Sequence, residues 1–195
     1  MKDLEEYVKE VDKFYNSLDE DILRKPIGSK IFERSQNIED FIKECYVNIK
    51  DYKESKEKGA KRAWYSLYLI NDNLSWLIKE FENSKEDLPK ELEDFKETTV
   101  KYLREYRGEA RYDTLKEAIE YTRKSNVDNA IDILNFDIFE LKDNSELYGN
   151  MPPLEESINL LKDLASKIID NPEENKGKRS QEFYKSILKK LDKFY

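Results

Sequence analysis

Apolar residues recur every three or four positions along most of the 195-residue chain, which is the spacing of one helix face. No run of β-branched residues alternates with polar ones, so the pattern predicts no strand. The chain is therefore expected to be all-α. The stripes predict helices over 3–18, 37–57, 60–84, 88–107, 114–125, 127–142, 153–170 and 180–195.

Residues that favour helix ends set the boundaries between these stripes. Pro26 interrupts the pattern, so 19–36 predicts a connector with a short helix over 29–35. Gly108 is expected to end the helix before it, and the T-x-x-E sequence that starts at Thr114 predicts a capping box that opens the next one. Asn37 is the expected N-cap of the second long helix.

Short loops between consecutive helices favour antiparallel neighbours. We therefore predict one domain over 1–195, an antiparallel bundle of seven to eight helices. The stretch TLKEAIEYTRKSNVDNAIDILNF is typical of a solenoid hairpin, so a short α-solenoid-like array is the alternative.

The segment AKRAWYSLYLINDNLSWLIKEF, residues 60–81, is apolar on two sides when it is drawn as a helix. Its second, narrower stripe consists of Tyr65, Leu69 and Trp76. A helix of this kind is either central in its core or offers the second stripe to a partner. The main stripe consists of Ala60, Ala63, Trp64, Leu67, Ile70, Leu74, Leu77, Ile78 and Phe81.

Two polar residues interrupt apolar stripes, Asn71 and Asp137. Burying such a group without a hydrogen-bond partner costs about 1–3 kcal/mol. We expect a backbone group or a tyrosine hydroxyl to satisfy each of them. The alternative is a polar pocket, or a contact that fixes the register of a homo-oligomer.

Composition narrows the chemistry that the chain can perform. Charged residues make up 40% of it, the net charge is −8, there is no histidine, and Cys45 is the single cysteine. Catalysis by Ser-His-Asp or Cys-His groups and zinc sites with His ligands are excluded. The N-terminus lacks the apolar stretch of a signal peptide, and no run is long enough to span a membrane. We expect a cytoplasmic protein, and the Lys/Glu-rich composition is typical of thermophiles.

One basic segment, 101–124, holds four of the eight arginines beside several tyrosines. Arginine binds phosphate or carboxylate and stacks on bases, so this segment predicts a contact with RNA, single-stranded DNA or an acidic protein surface, unless neighbouring carboxylates neutralise it. By helix content the chain is similar to translin-type and CRISPR small-subunit bundles. The candidate contact residues are Arg104, Arg107, Arg111, Arg123, Tyr106 and Tyr112.

A pattern of carboxylates, E-x-x-E followed by E-x-x-D, resembles the signature of all-helical nucleotide pyrophosphohydrolases. The resemblance implies Mg²⁺ bound by Glu117, Glu120, Glu140 and Asp143. At about 100° per residue, however, the first two lie opposite the apolar stripe of their helix. Mg²⁺-dependent hydrolysis is therefore the third of three hypotheses.

The hypothesis that the sequence favours is a non-catalytic helical interaction module that binds a protein partner or itself. We assign no catalytic, cofactor-binding or metal-binding residue and expect no cofactor. Nucleic-acid binding through 101–124 is the second hypothesis.

Overall fold

A computed structural model of the chain describes residues 4–27, 37–55, 59–140, 152–171 and 179–194. Over these residues the chain is all-helical without strands, consistent with a helical bundle, and this confirms the predicted fold class. None of the described helices is long and apolar enough to cross a membrane. The α-helices are α1 (Leu4–Asn16), α2 (Glu20–Arg24), α3 (Ile38–Glu54), α4 (Ala60–Ser84), α5 (Lys90–Arg123), α6 (Val127–Asn135), α7 (Glu155–Asp170) and α8 (Gln181–Leu191).

The chain divides into two compact units, an N-terminal unit that ends at Arg107 and a C-terminal unit that begins at Gly108. The boundary falls within α5. Each unit is described by itself below, and the single domain expected from the sequence stays a prediction.

The N-terminal unit has an aromatic centre built around Phe95 of α5. Phe14 of α1 stacks on it with 4.5 Å between ring centroids, and Phe41 of α3 meets it edge-on at 6.1 Å. One turn further along α5, Thr99 Oγ1 lies 2.7 Å from the hydroxyl of Tyr7, which is fully buried. These contacts hold α1, α3 and α5 together, and α4 packs on α3.

The C-terminal unit buries apolar side chains of α6, α7 and α8 in a second core. Tyr184 of α8 is buried in it and donates a hydrogen bond to Asp128 of α6, at 2.8 Å. Arg179 binds Asp132 of α6 at 2.7 Å. The start of α8 is therefore joined to α6 by one partly buried and one exposed polar contact.

The predicted helix break at Gly108 is wrong. α5 runs without interruption from Lys90 to Arg123, so Gly108 lies inside it. The predicted capping box at Thr114 is wrong as well, because the Thr114 hydroxyl donates to the carbonyl of Ala110 within the helix, at 3.1 Å. A glycine inside a helix costs only about 1 kcal/mol relative to alanine, which packing along a 34-residue helix offsets.

The remaining boundaries differ less from the predictions. Asn37 caps α3 as predicted, since its side chain accepts a hydrogen bond from the backbone N–H of Asp40 at 2.7 Å. The region expected to be a connector begins with the short helix α2. The helix predicted over 29–35 lies outside the described residues. After α6 the chain continues as a π-helix over Phe136–Glu140.

Candidate interaction surface

The two sides of α4 have different environments. Every residue of the predicted main stripe is buried, from Ala60 to Phe81. On the other side, 43% of Tyr65 and 36% of Leu69 are exposed, and Trp76 is half-buried. α4 therefore belongs to the core of the N-terminal unit and also presents part of its second stripe to the surface.

Tyr65 and Leu69 are distinguished from the other exposed apolar residues by their spacing. Within the described part of the chain they are the pair of exposed large apolar residues that lie one turn apart on one helix. Val47, for example, is exposed on α3 without such a neighbour, and the hydroxyl of exposed Tyr46 is bound to Asp12. Adjacent apolar side chains on one helix face are what helix-in-groove and helix-pair recognition require.

A row of stacked rings fixes the position of Tyr65. Its ring centroid lies 6.4 Å from that of Tyr68, which in turn lies 5.6 Å from that of Trp64. The guanidinium of Arg62 lies over the Tyr65 ring at 5.7 Å, and that of Arg107 lies over Trp64 at 5.8 Å. Such cation–π contacts contribute about 0.5–2 kcal/mol each. The exposed tyrosine is thus held in place before any partner binds.

Opposite charges flank the exposed pair. Arg62 is half-buried and makes no ion pair with the described residues, and its buried Nε atom has no hydrogen-bond acceptor among them. Asp72 is exposed at the other end. We call Arg62, Tyr65, Leu69 and Asp72 the α4 strip. Sequence periodicity identifies the two apolar members of the strip but neither charged member. The usable signal was a pair of opposite charges, Arg62 three residues before Tyr65 and Asp72 three residues after Leu69.

The two predicted buried polar residues are both buried. Asn71 is 2% exposed, and its Oδ1 atom has no hydrogen-bond partner among the described residues. It points from the face of α4 opposite the α4 strip, as the helical spacing requires. Asp137 is buried within the π-helix of the C-terminal unit. Whether either residue fixes the register of an oligomer stays a prediction.

The structure does not present the arginines and tyrosines of 101–124 as one exposed set. In the N-terminal unit, Arg104 is exposed, whereas Tyr106 and Arg107 are buried. A buried side chain cannot stack on a base without a rearrangement of its unit.

In the C-terminal unit, half of Tyr112 is exposed beside the guanidinium of Arg111, at 5.4 Å. Arg111 donates a hydrogen bond to the carbonyl of Pro152 at 2.7 Å, and Arg123 binds Glu120 at 3.0 Å. Two of the four arginines are thus already engaged within the unit. Nucleic-acid binding through this segment stays a prediction.

The four carboxylates of the pyrophosphohydrolase pattern are only partly described. Glu120 is exposed and Glu117 is half-buried, but the Glu140 side chain and Asp143 lie outside the described residues. Among the described residues, no group of three or more His, Cys, Asp or Glu could hold a metal ion. The hydrolase hypothesis stays a prediction.

A polar cleft of about 290 Å³ lies beside α1 and α2. Its cation, Arg24, binds Glu20 at 2.9 Å and approaches Glu39 of α3 at 3.7 Å. The arginine is therefore already paired with carboxylates of the cleft lining, so the cleft offers little to an anionic ligand.

The single cysteine is a core residue. Cys45 is fully buried, and burial raises the pKa of its thiol well above the usual value. Because the thiolate is the nucleophile in cysteine chemistry, Cys45 is unreactive in the folded chain.

No protein-family model, curated protein or solved structure matches the chain.

Proposed function

We propose that the chain is a non-catalytic protein-interaction module whose binding surface is the α4 strip. One observation carries this proposal: Tyr65 and Leu69 are exposed one turn apart on a helix whose opposite face forms the core. A partner that covers both side chains removes apolar surface from water. Burying a fully exposed side chain of this kind is worth about 1.5–3 kcal/mol, and roughly two fifths of that can be gained here, because Tyr65 is 43% and Leu69 is 36% exposed.

The chemistry of the strip favours a protein over a nucleic acid. Tyrosine and arginine are, together with tryptophan, enriched among the residues that dominate the binding energy of protein interfaces. Asp72 would repel a phosphate backbone, and Leu69 offers no stacking face. A protein surface with apolar side chains and a matching pair of charges fits all four members of the strip.

The composition of the sequence supports a binding role rather than catalysis. The chain has no histidine, and its one thiol is buried and protonated. The residues of the α4 strip comprise one carboxylate and one arginine at opposite ends of an apolar pair, which is an arrangement suited to docking.

Site-specific photo-cross-linking in the organism that carries this sequence tests the proposal. A benzophenone amino acid at position 69 is compared with the same group at Lys101, which is exposed on α5. We expect a cross-linked polypeptide, either this chain or another, from position 69 and not from position 101. Absence of any cross-linked polypeptide from position 69 would refute the proposal.

A further inference from the structure

We infer that the α4 strip binds a second copy of this chain, with the two α4 helices packed antiparallel. The inference rests on the proposed function, because it identifies the protein that covers the strip. It is drawn from the order of the four residues along the helix and from their charges.

The α4 strip is symmetric about Leu67. Tyr65 lies two residues before Leu67 and Leu69 lies two after it, while Arg62 lies five before and Asp72 five after. An antiparallel pair of helices centred at this position therefore places Tyr65 against Leu69 of the second copy. The same alignment places Arg62 against Asp72 of the second copy.

Such reciprocal contacts are what a two-fold symmetric interface requires, since a contact of one residue with a second residue of the other copy is repeated with the two copies exchanged. At about 100° per residue, the four residues of the strip fall within an arc of roughly 80° on the helix. They can therefore all face one partner helix at the same time.

The charges select this alignment over others. Arg62 lacks an ionic partner among the described residues, and the second copy supplies one in Asp72. A parallel alignment in register instead places Arg62 against Arg62 and Asp72 against Asp72, so like charges oppose it at both ends. Tyr65, held by its stacking contact with Tyr68, needs little reorganisation to join the pair.

The strip spans about three helical turns, which is short for a protein interface. Interfaces at the low end of the size range belong to weak or transient complexes. We therefore expect a reversible dimer with a dissociation constant on the order of micromolar.

Charge reversal at the two ends tests the inference. Arg62→Asp places two aspartates opposite each other at both ends of the pair, and Asp72→Arg places two arginines there. Both changes suit the helix itself: position 62 is in the first turn of α4, where a negative charge is favourable, and arginine has a higher helix propensity than aspartate. Loss of association is then distinguishable from loss of folding, which urea unfolding of each variant checks.

Sedimentation velocity from roughly 1 to 300 µM, a range that spans the expected affinity, measures the outcome. We expect the unaltered chain to dimerise and each single variant to stay monomeric. An equimolar mixture of the two variants restores the dimer. In the mixed pair the introduced aspartate faces the introduced arginine at one end, and the native Asp72 of one copy faces the native Arg62 of the other at the opposite end. The control Lys101→Asp, an exposed charge reversal on α5, dimerises like the unaltered chain.

Three results overturn the inference: a chain that is monomeric over the whole range, single variants that dimerise like the unaltered chain, or a mixture that does not recover the dimer. A monomeric chain that still gives a cross-link from position 69 to another polypeptide refutes self-pairing and leaves the interaction module standing. A monomer without any such cross-link refutes both.

Discussion

The buried hydrogen bond between Tyr7 and Thr99 allows a prediction with a definite direction. The two oxygens lie 2.7 Å apart, and Thr99 Oγ1 also donates to the carbonyl of Phe95 at 2.9 Å. A threonine hydroxyl has one proton, which is used in the second bond. Tyr7 must therefore be the donor to Thr99, so the two side chains are not equivalent.

This asymmetry sets the cost of each substitution. Tyr7→Phe removes the donor and leaves Thr99 with its own proton still bonded, so it should cost about 0.5–1.5 kcal/mol, the net value of one hydrogen bond. Thr99→Val keeps the shape but leaves the Tyr7 hydroxyl buried without an acceptor, which should cost about 1–3 kcal/mol. The double variant removes both groups and should cost less than Thr99→Val alone.

Urea unfolding followed by circular dichroism measures all three free energies of unfolding, and the double-mutant cycle gives the coupling between the two side chains. A Tyr7→Phe variant that is destabilised as much as Thr99→Val, or a double variant whose cost is the sum of the two, would contradict the assignment of Tyr7 as donor.

Three further predictions concern other parts of the chain. Gly108→Ala should raise the free energy of unfolding, measured in urea, by about 0.5–1 kcal/mol, because Gly108 lies inside α5. If the helix ended at Gly108, the same substitution would lower it. Burial and the hydrogen bond to Asp128 raise the pKa of Tyr184 to about 12, above its ordinary value of 10.0. The contribution of this tyrosine to the free energy of unfolding is therefore complete below pH 10 and declines toward pH 12, so the stability difference between the unaltered chain and Tyr184→Phe should shrink over this interval. A labelled single-stranded RNA should not be retained at about 50 mM salt, since Arg107 is buried and Arg111 and Arg123 are already bonded, and retention that falls with added salt would instead support nucleic-acid binding.

The helical period in the sequence was sufficient to predict most of the fold. Along α4 the apolar positions of the sequence coincide with the buried positions of the helix, because eleven of its residues pack into the core. The second stripe follows the same helical period, so Tyr65 and Leu69 could be identified from it. Whether that stripe was covered could not be predicted, since coverage depends on which helices pack beside α4.

The errors occurred where a local signal competed with packing. Gly108 and Thr114 both favour helix ends in isolation, but their preferences amount to about 1 kcal/mol each, and the side chains around them pack as one continuous helix. The engagement of Arg111 with the carbonyl of Pro152 depends on two residues 41 positions apart, and no local pattern announces it. The contact of the Arg107 guanidinium with the Trp64 ring likewise joins residues that are far apart in the sequence.

The central claim is that two copies of the chain pair through antiparallel α4 helices, and a distance between paramagnetic labels tests it most directly. Lys79 is exposed on α4 and lies twelve residues beyond Leu67, and Cys45 is buried, so a label on Lys79→Cys is selective. With a rise of 1.5 Å per residue and helices about 9 Å apart, antiparallel pairing predicts about 35–40 Å between the two labels. A separation of about 10 Å, as parallel helices would give, or no dipolar coupling at a concentration where the chain is dimeric, would contradict the account.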